Sequence, residues 1–431
     1  MAKRSIGYFI YNIIILLTSI LAVPFLIIRN LMLHRPVAPY FGKISPNEAG
    51  LLKDKKVIWI QAVSLGESMV ACSLIRELKR VFPAHQVVLT ATTPTGYHNA
   101  RQKLGDLALV NYFPLDLPFL MSSFCAKIHP SLYIMVESEF WPNAIRANKR
   151  HGAKIALVNG RISEKSLKNY LRVSGFVKTM LEQFDLLAMQ SVADANRIGL
   201  MGAPLERIMV TGNLKFDQEF PDFSAEQLES FRSKYGLTKD QRVLVAASTH
   251  RGEEEIILET FVNLAKEQPF FLILAPRHPD RAPEVIKLIQ EQNLRFVRRS
   301  SGEDSKDTPV LLFDTFGELG LAYAAADLVF VGGSLVDSGG QNILEPAAQS
   351  KPVIYGPHMD DFLEAKRLLE EADAGITVHN AAELTDNIKK LVADNALYRR
   401  RAENARNAVL ANRGAARNTA KLIAALLGSE S

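Results

Sequence analysis

VIWIQAVSLGE, Val57 to Glu67, is the stretch whose reading decides the fold. Its first seven residues are apolar apart from Gln61 and show no alternation. A continuous apolar run of that length suits a strand covered on both faces, as in a parallel sheet. S-L-G-E then reads as a turn, and the periodicity beyond it predicts a helix from about Met69 to Val81.

The same rhythm continues outward. QVVLTAT, LALVNYF, LYIMVES, KIALVNG, DLLAMQS and RIMVTGN follow in order, most of them separated by a helical stretch. Alternation of this kind implies a doubly wound α/β domain. The charged stretch from Asp217 to Gln241 breaks the pattern and reads as an interdomain connection. RVLVAAS, FFLILAP, VLLFDT, DLVFVGG, PVIYGP and GITVH then form a second series, and the chain from Ala381 onward reads as helical. Two Rossmann-like, doubly wound α/β domains facing a cleft make the architecture known as GT-B, although unrelated enzymes also stack two such domains.

Composition agrees with two domains. The chain has 431 residues, 48% of them hydrophobic and 23% charged, with a net charge of +5. That mild basicity suits phosphorylated or acidic molecules near an anionic surface. Lys and Arg are dispersed, with no aromatic-rich basic tract, so no nucleic-acid partner is expected. Cys72 and Cys125 each lie in an apolar helical pattern and read as buried thiols of a reducing compartment.

The N-terminus stands apart. Tyr8 to Ile28 is apolar except for a few small or polar residues. About 20 residues is what a bilayer-spanning helix requires, and a cleaved signal would have a shorter core. Lys3 and Arg4 precede the run, and Arg29, Arg35 and Lys43 follow, so the flanking charge does not set an orientation. Pro24 would tilt or kink it; a half-immersed monotopic helix and an ordinary buried helix both stay open.

Several constellations could carry chemistry. Ser64, Gly66 and Glu67 lie at the carboxyl end of the first strand, where ligands bind in open α/β sheets. Glu67 could meet an incoming hydroxyl as a general base, or simply favour the start of a helix. V-E-S-E-F-W-P-N, Val136 to Asn143, puts Glu137 and Glu139 on one side if the strand continues. Paired carboxylates can oppose an oxocarbenium-like charge. Trp141 suits sugar stacking or core packing, and Pro142 suits a helix start. Lys215, in G-N-L-K-F-D, follows the last strand of the first half.

The second half offers a phosphate-binding edge. Pro276, Arg277 and His278 follow a buried strand, where a guanidinium can fork onto phosphate. F-G-E-L-G, with Phe316, Gly317 and Glu318, supplies another turn. G-G-Q-N-I-L-E-P opens a helix behind two glycines, with Asn342, Ile343, Leu344 and Glu345 at its start. None of these is a Walker or dinucleotide fingerprint. No D-x-D triplet ends an expected strand, so no metal and no cofactor are expected.

Taken in order, AVSLGE, TATTPTG, VESEFWPN, NGRISEKS, TGNLKFD, STHRGEE, PRHPDR, FGELG, GGSLV and GGQNILEP resemble the Kdo transferases, glycosyltransferase family 30. These enzymes move 3-deoxy-D-manno-octulosonic acid (Kdo) from CMP-Kdo onto a lipid A precursor. The resemblance spans nearly the whole chain. It implies an inverting, metal-independent enzyme of lipopolysaccharide biosynthesis on the cytoplasmic face of the inner membrane, with CMP-Kdo as substrate rather than cofactor. It also implies an anchor over 1–35, an acceptor-binding domain over 36–220 and a CMP-sugar-binding domain over 221–405. A helix over 406–431 would pack back on the first domain.

By the same resemblance Glu67 is the general base, and Glu137 and Lys215 stabilise the transition state. Pro276, Arg277, His278, Phe316–Glu318 and Asn342–Glu345 bind CMP. Ser64, Gly66 and Arg161 contact acceptor or sugar. Two positions depart from the family pattern: Gln61 and Gln341 stand where His is common. Gln341 cannot carry a proton, which leaves no acid/base role for it. Sugar-nucleotide epimerases or hydrolases of the same layout, and a non-catalytic nucleotide-binding membrane protein, are the competing readings.

Overall fold

The computed structural model describes residues 2–32, 41–238, 241–303 and 308–428. Arg35 and the expected boundary after it lie outside the described residues, as do positions 239–240 of the charged stretch and the side chains of Lys3, Arg4 and Arg29. The chain divides into two compact units, Met1–Gln218 with Asn412–Ser431, and Glu219–Ala411.

In the first unit, helices α1 (Ala2–Met32) and α2 (Pro46–Leu52) precede strand β1 (Val57–Ala62). Then come α3 (Leu65–Val81), β2 (Gln86–Ala91), α4 (Pro94–Leu104), β3 (Leu109–Tyr112), α5 (Pro118–Ile128) and β4 (Pro130–Val136). The series continues through α6 (Pro142–Arg150), β5 (Lys154–Gly160), α7 (Glu164–Arg172), α8 (Ser174–Leu181), β6 (Leu186–Met189), α9 (Val192–Leu200) and β7 (Ile208–Val210). The seven strands are parallel, in the order β3-β2-β1-β4-β5-β6-β7.

All six residues of β1 are buried. Successive side chains enter opposite cores: Trp59 meets Phe124 and Tyr133 on one face, while Ile58 and Ile60 join Leu132 and Ile134 on the other. The strand order reverses direction between β1 and β4, so the loops after these two strands open at the topological switch point, where α/β sheets bind ligands.

The second unit begins with α10 (Ala225–Lys234), β8 (Arg242–Thr249), α11 (Glu253–Ala265), β9 (Phe270–Pro276) and α12 (Ala282–Glu291). It goes on through β10 (Phe296–Arg298), β11 (Val310–Leu312), α13 (Leu319–Ala325), β12 (Leu328–Val331) and α14 (Leu344–Ala348). It ends with β13 (Val353–Tyr355), α15 (Leu363–Glu371), β14 (Gly375–Thr377), α16 (Ala381–Ala393) and α17 (Asn395–Ala411). Its parallel sheet runs β10-β11-β9-β8-β12-β13-β14. The last helix, α18 (Ala415–Leu427), returns to the first unit and packs on α3.

Three details differ from the sequence reading. Helix α3 starts at Leu65 rather than near Met69, because the Ser64 side chain caps the Glu67 N–H. The charged stretch after Asp217 is not all connection. Ser224 and Gln227 form a capping box there, and α10 packs on α13 inside the second unit. Strand β10 carries only Phe296 and Val297 as apolar residues, too few to stand out between arginines.

Candidate active site

At the switch point of the first unit, S-L-G-E is the first turn of α3. The Glu67 carboxylate accepts the Val63 N–H at 2.6 Å and the Ser64 hydroxyl at 3.1 Å. Only 6% of the residue is exposed. Burial pushes its pKa up to about 7, the Glu137 and Glu139 charges push the same way, and the two hydrogen bonds oppose the rise. A carboxyl group tuned there can accept a proton near neutral pH. Glu67 thus begins a helix and also carries a raised pKa, so neither reading excludes the other.

Gly66 meets nothing closer than the Ser64 hydroxyl at 3.8 Å from where a Cβ would stand. A side chain at Gly66 would thus meet only ordinary contact with Ser64. Gln61, behind it in β1, is buried and accepts the Tyr133 hydroxyl at 2.5 Å, an internal packing role.

Glu137 and Glu139 converge differently from expectation. β4 stops at Val136, and Glu137 adopts a left-handed φ of 60° while its N–H donates to the Val158 carbonyl at 2.9 Å. That backbone is costly for a non-glycine residue and is typical of functional turns. The turn, not strand alternation, brings the acids toward Glu67. Burial first, then the Glu137 charge, raises the Glu139 pKa.

Lys215 reaches Glu137 at 3.9 Å from a short turn that Asn213 caps and Asn159 holds through the Leu214 N–H. Arg161 sits next to the same loop, its backbone N–H and carbonyl both bonded to the Ser138 hydroxyl. Trp141 packs against Phe113 with ring centroids 5.6 Å apart, which favours core packing over sugar stacking. Glu67, Glu137, Glu139, Lys215, Ser64, Gly66 and Arg161 thus follow the carboxyl ends of β1, β4, β5 and β7 in one sheet.

The second unit holds its own cluster at the ends of β8, β9 and β12. The Arg277 N–H donates to the Thr249 carbonyl at 2.9 Å, and its guanidinium Nε donates to Gln341 Oε1 at 3.1 Å. Gln341 therefore orients an arginine. The His278 ring lies 6.0 Å from that of His250.

His250 escaped the sequence reading. Its Nε2 is buried and finds no hydrogen-bond partner. Burial, with the neighbouring His278, Arg277 and Arg281 charges, lowers its pKa, against an opposing pull from Glu253. An unsatisfied imidazole nitrogen in a cationic corner is a candidate ligand contact. The signal available in the sequence was its place in STHRGEE, directly after a strand.

Glu253 was also missed. Its fully buried carboxylate accepts the N–H groups of His250, Gly333, Ser334 and Leu335 at 2.7–2.9 Å. It thereby locks the G-G-S loop. A Cβ on Gly332 would lie 2.7 Å from that carboxylate and from the Thr249 Cα, so only glycine fits.

Further along, Gly339 and Gly340 both have left-handed φ, at 78° and 77°. The helix they introduce, α14, has only five residues, so its dipole is weaker than the sequence suggested. Ile343 and Leu344 are core residues, leaving only their backbone to face a ligand. The Asn342 side chain caps the Leu344 N–H at 3.1 Å. Glu345 Oε1 lies 3.5 Å from where a Cβ of Gly320 would be, at the start of α13.

In the other turn Phe316 is exposed and Gly317 has a φ of 83°. The Glu318 carboxylate binds the Arg299 guanidinium and the Thr315 hydroxyl, which hold its pKa below the usual range. Among the described residues, Asp337, His358 and Asp360 bring three ligand atoms within 4.8 Å of one another, and both aspartates are exposed.

Comparison with known proteins places these features in a family. The sequence pattern of a family described as 3-deoxy-D-manno-octulosonic-acid transferase (kdotransferase) matches residues 39–218. The 3-deoxy-D-manno-octulosonic acid transferase of Haemophilus influenzae is 37% identical over 361 residues, covering 83% of this chain and 84% of that one. The crystal structure of a glycosyltransferase from Rickettsia africae superposes with a TM-score of 0.61 at 15% identity, over 88% of this chain and 100% of that one. UDP-GlcNAc 2-epimerase from Neisseria meningitidis gives 0.60 at 16%, over 86% and 99%. At such identities these two structures share the GT-B fold alone, whereas the Haemophilus relative shares the sequence along most of both chains. The chain belongs to the 3-deoxy-D-manno-octulosonic acid transferase family and is a glycosyltransferase.

Proposed function

We propose that the enzyme transfers Kdo from CMP-Kdo to a lipid A precursor, with inversion, without a metal, and with Glu67 as general base. The observation that carries this reading is the Glu67 carboxyl group, tuned to about 7 and fixed by Val63 and Ser64 at the carboxyl end of β1. In the proposed step the acceptor hydroxyl gives its proton to Glu67 while its oxygen bonds to the anomeric carbon of Kdo. The bond from that carbon to the CMP phosphate breaks, and CMP leaves with the electron pair. Attack opposite the phosphate inverts the centre.

Glu137 and Glu139 would oppose positive charge developing on the sugar ring. Lys215, 3.9 Å from Glu137, would balance the site's charge and help the leaving phosphate. In the second unit Arg277, oriented by Gln341, supplies the guanidinium for the phosphate, and His278 and His250 stand beside it. Backbone N–H groups of the Gly339–Asn342 loop would complete the donor site, with Pro276, the Phe316–Glu318 turn and Glu345 around it. Ser64, Gly66 and Arg161 would face sugar or acceptor. The lipid acceptor fits α1, whose Ile6–Phe25 window has a mean hydropathy of 2.2 and could hold the enzyme at the cytoplasmic face of an inner membrane.

The test is direct. Wild type and Glu67→Gln are incubated with CMP-Kdo and a tetraacylated lipid A precursor, and products are read by mass spectrometry. We expect a Kdo mass increment on the lipid with wild type. Turnover of the variant should fall by roughly 100-fold or more, the usual contribution of a general base, with CMP affinity unchanged in calorimetry. Near-normal turnover would remove Glu67 from that role. Release of free Kdo with no change in the lipid would point to a hydrolase.

A further inference from the structure

α1 has a docked end. A Cβ on Gly7 would lie 2.5 Å from Phe176 Cδ2 and 3.2 Å from Phe176 Cβ, so helix and ring touch where only glycine allows it. Tyr8 is 4% exposed; its ring meets Phe176 edge-on at 5.2 Å, and the Arg146 guanidinium lies 4.9 Å over it. Gln183 Nε2 donates to the Tyr8 hydroxyl at 2.6 Å. One turn on, the Tyr11 hydroxyl donates to Asp116 Oδ2 at 2.8 Å. Asp116 is itself buried, and it accepts the Asn143 and Ala144 N–H groups at the start of α6 at 3.0 and 2.8 Å. Polar side chains from three separate segments, Asp116, Arg146 and Gln183, thus meet two tyrosines of an apolar helix.

Beyond this dock the character changes. Ile13, Leu16, Leu17, Ile20, Phe25 and Ile28 all stand exposed. From Tyr11 to Met32 the axis advances about 31 Å at ~1.5 Å per residue, roughly the thickness of a hydrocarbon core. Eight residues, 33–40, then lead back to Phe41. There the chain is fixed to the first unit again, with Lys127 donating to the Gly42 carbonyl at 3.1 Å and Asn111 to the Lys43 carbonyl at 3.1 Å.

A helix that starts on the unit and spans the bilayer would leave those eight residues to cross back. The nine Cα-to-Cα steps from Met32 to Phe41 span about 30–32 Å only when fully extended, so every residue between them would have to run straight through the hydrocarbon. Extended backbone cannot cross lipid, because its N–H and C=O groups would go unpaired, and L-H-R-P-V-A-P-Y also carries His34 and Arg35.

We infer that α1 is a monotopic anchor: pinned to the first unit by Gly7, Tyr8 and Tyr11, it lies in the leaflet facing the catalytic units, and both its ends stay on that side. The occupant of its exposed face is a lipid surface, given the length and hydropathy of the helix and the basic residues that flank it in sequence. This rests on the membrane reading above and adds its geometry. Because Asp116 joins Tyr11 to the first residues of α6, the leaflet is held close to the Glu137–Glu139 loop. The acceptor can then be drawn from the lipid without crossing bulk water.

Three measurements on the full chain test it. Flotation with phosphatidylethanolamine/phosphatidylglycerol vesicles tests the membrane reading alone. Gly7→Cys with Phe176→Cys places two Cβ atoms 3.2 Å apart, a small relaxation from the roughly 3.5–4.5 Å of a disulfide, while Cys72 and Cys125 are buried. The membrane-bound double variant should cross-link under mild oxidation, and either single variant should not. Ala2→Cys should react with an impermeant maleimide in inverted inner-membrane vesicles and stay protected in sealed right-side-out ones. Protein that floats but fails to cross-link, with Ala2→Cys labelled from the outer side, would overturn monotopic docking and leave membrane attachment standing. Protein that does not float, or whose α1 is buried in a detergent-free dimer, would overturn the lipid occupant itself.

Discussion

Glu67 is where burial, two carboxylates and two hydrogen bonds act on a single proton. Its pKa is raised above the ordinary 4.5 to about 7, so the protonated form is the favoured one in the fold at lower pH. Any stability from that proton is present below about 4.5 and is lost as pH rises through about 7. The rate should move oppositely, because only the carboxylate can take a proton. We expect kcat to rise with pH along a limb centred near 7. Glu139→Gln removes a negative neighbour and should shift that limb to lower pH, while Glu67→Gln should abolish it; a limb that ignores both changes would belong to another group. Part of this was legible. Glu67 after a buried strand pointed to the base, but its tuned pKa depends on Glu137 and Glu139, which converge only because Glu137 takes a left-handed turn. Spacing along a strand could not show that. His250 was hidden for a related reason, since an unsatisfied nitrogen is a fact of packing.

Arg277 belongs to the same scale. Its guanidinium Nε donates one hydrogen bond to Gln341 Oε1, which orients the side chain. Arg277→Ala should raise the CMP-Kdo KM by roughly 10-fold or more, as loss of a charged hydrogen bond to phosphate costs about 1.5–3 kcal/mol. Gln341→Ala should raise it less, by about 2- to 10-fold, because the guanidinium keeps its charge and loses only the partner that orients it. Steady-state kinetics with varied donor would check both. Equal KM values across the set would detach this corner from the donor.

At the scale of elements, loops rather than strands escaped the sequence. β1, β4, β8 and β9 announce themselves because continuous apolar runs have one cheap solution, the interior of a parallel sheet. The loops after them are built by pairings distant in sequence. Glu253 reaches across to three N–H groups of residues 333–335, some 80 positions away. In the sequence it looks like any acidic residue at a helix start. Removing it would strand four donors, of which the Gly333 and Ser334 N–H groups are buried, at about 1–3 kcal/mol for each buried one before relaxation. Glu253→Ala should therefore cost the second unit about 3 kcal/mol or more in denaturant unfolding and abolish CMP binding. A variant as stable as wild type would show that the loop is held by something else. α14 shows the limit of such a reading: G-G-Q-N-I-L-E-P does enter a helix, but only five residues of helix follow, and the two left-handed glycines do the shaping.

For the whole molecule, the alternation of strands and helices was readable across both sheets, down to all but one of the fourteen strands. The return of the chain end was harder to see from residues alone, since an Ala-rich helix with modest amphipathicity could pack in many places. Its destination is fixed by Asp217, whose carboxylate accepts the Gly414 and Ala416 N–H groups at 2.6 Å each, and by Ala415, Ala416, Ala420 and Ile423 in the core beside α3. α3 is the helix that begins with Glu67, so the last helix supports the helix that carries the proposed base. Deleting residues 412–431 should expose that apolar face. Loss of Ile423 alone removes about 1.5–3 kcal/mol of burial, and the whole helix more, against a typical total of about 5–15 kcal/mol. The first unit should then melt well below the second, and transfer should be lost. CMP binding should persist, because the residues proposed to bind CMP in the ground state, from His250 to Glu345, lie in Glu219–Ala411. Differential scanning calorimetry with and without CMP would resolve the two transitions. If CMP raised the transition weakened by the deletion, the donor would be binding the first unit, and the division of labour between the units would have to be reversed.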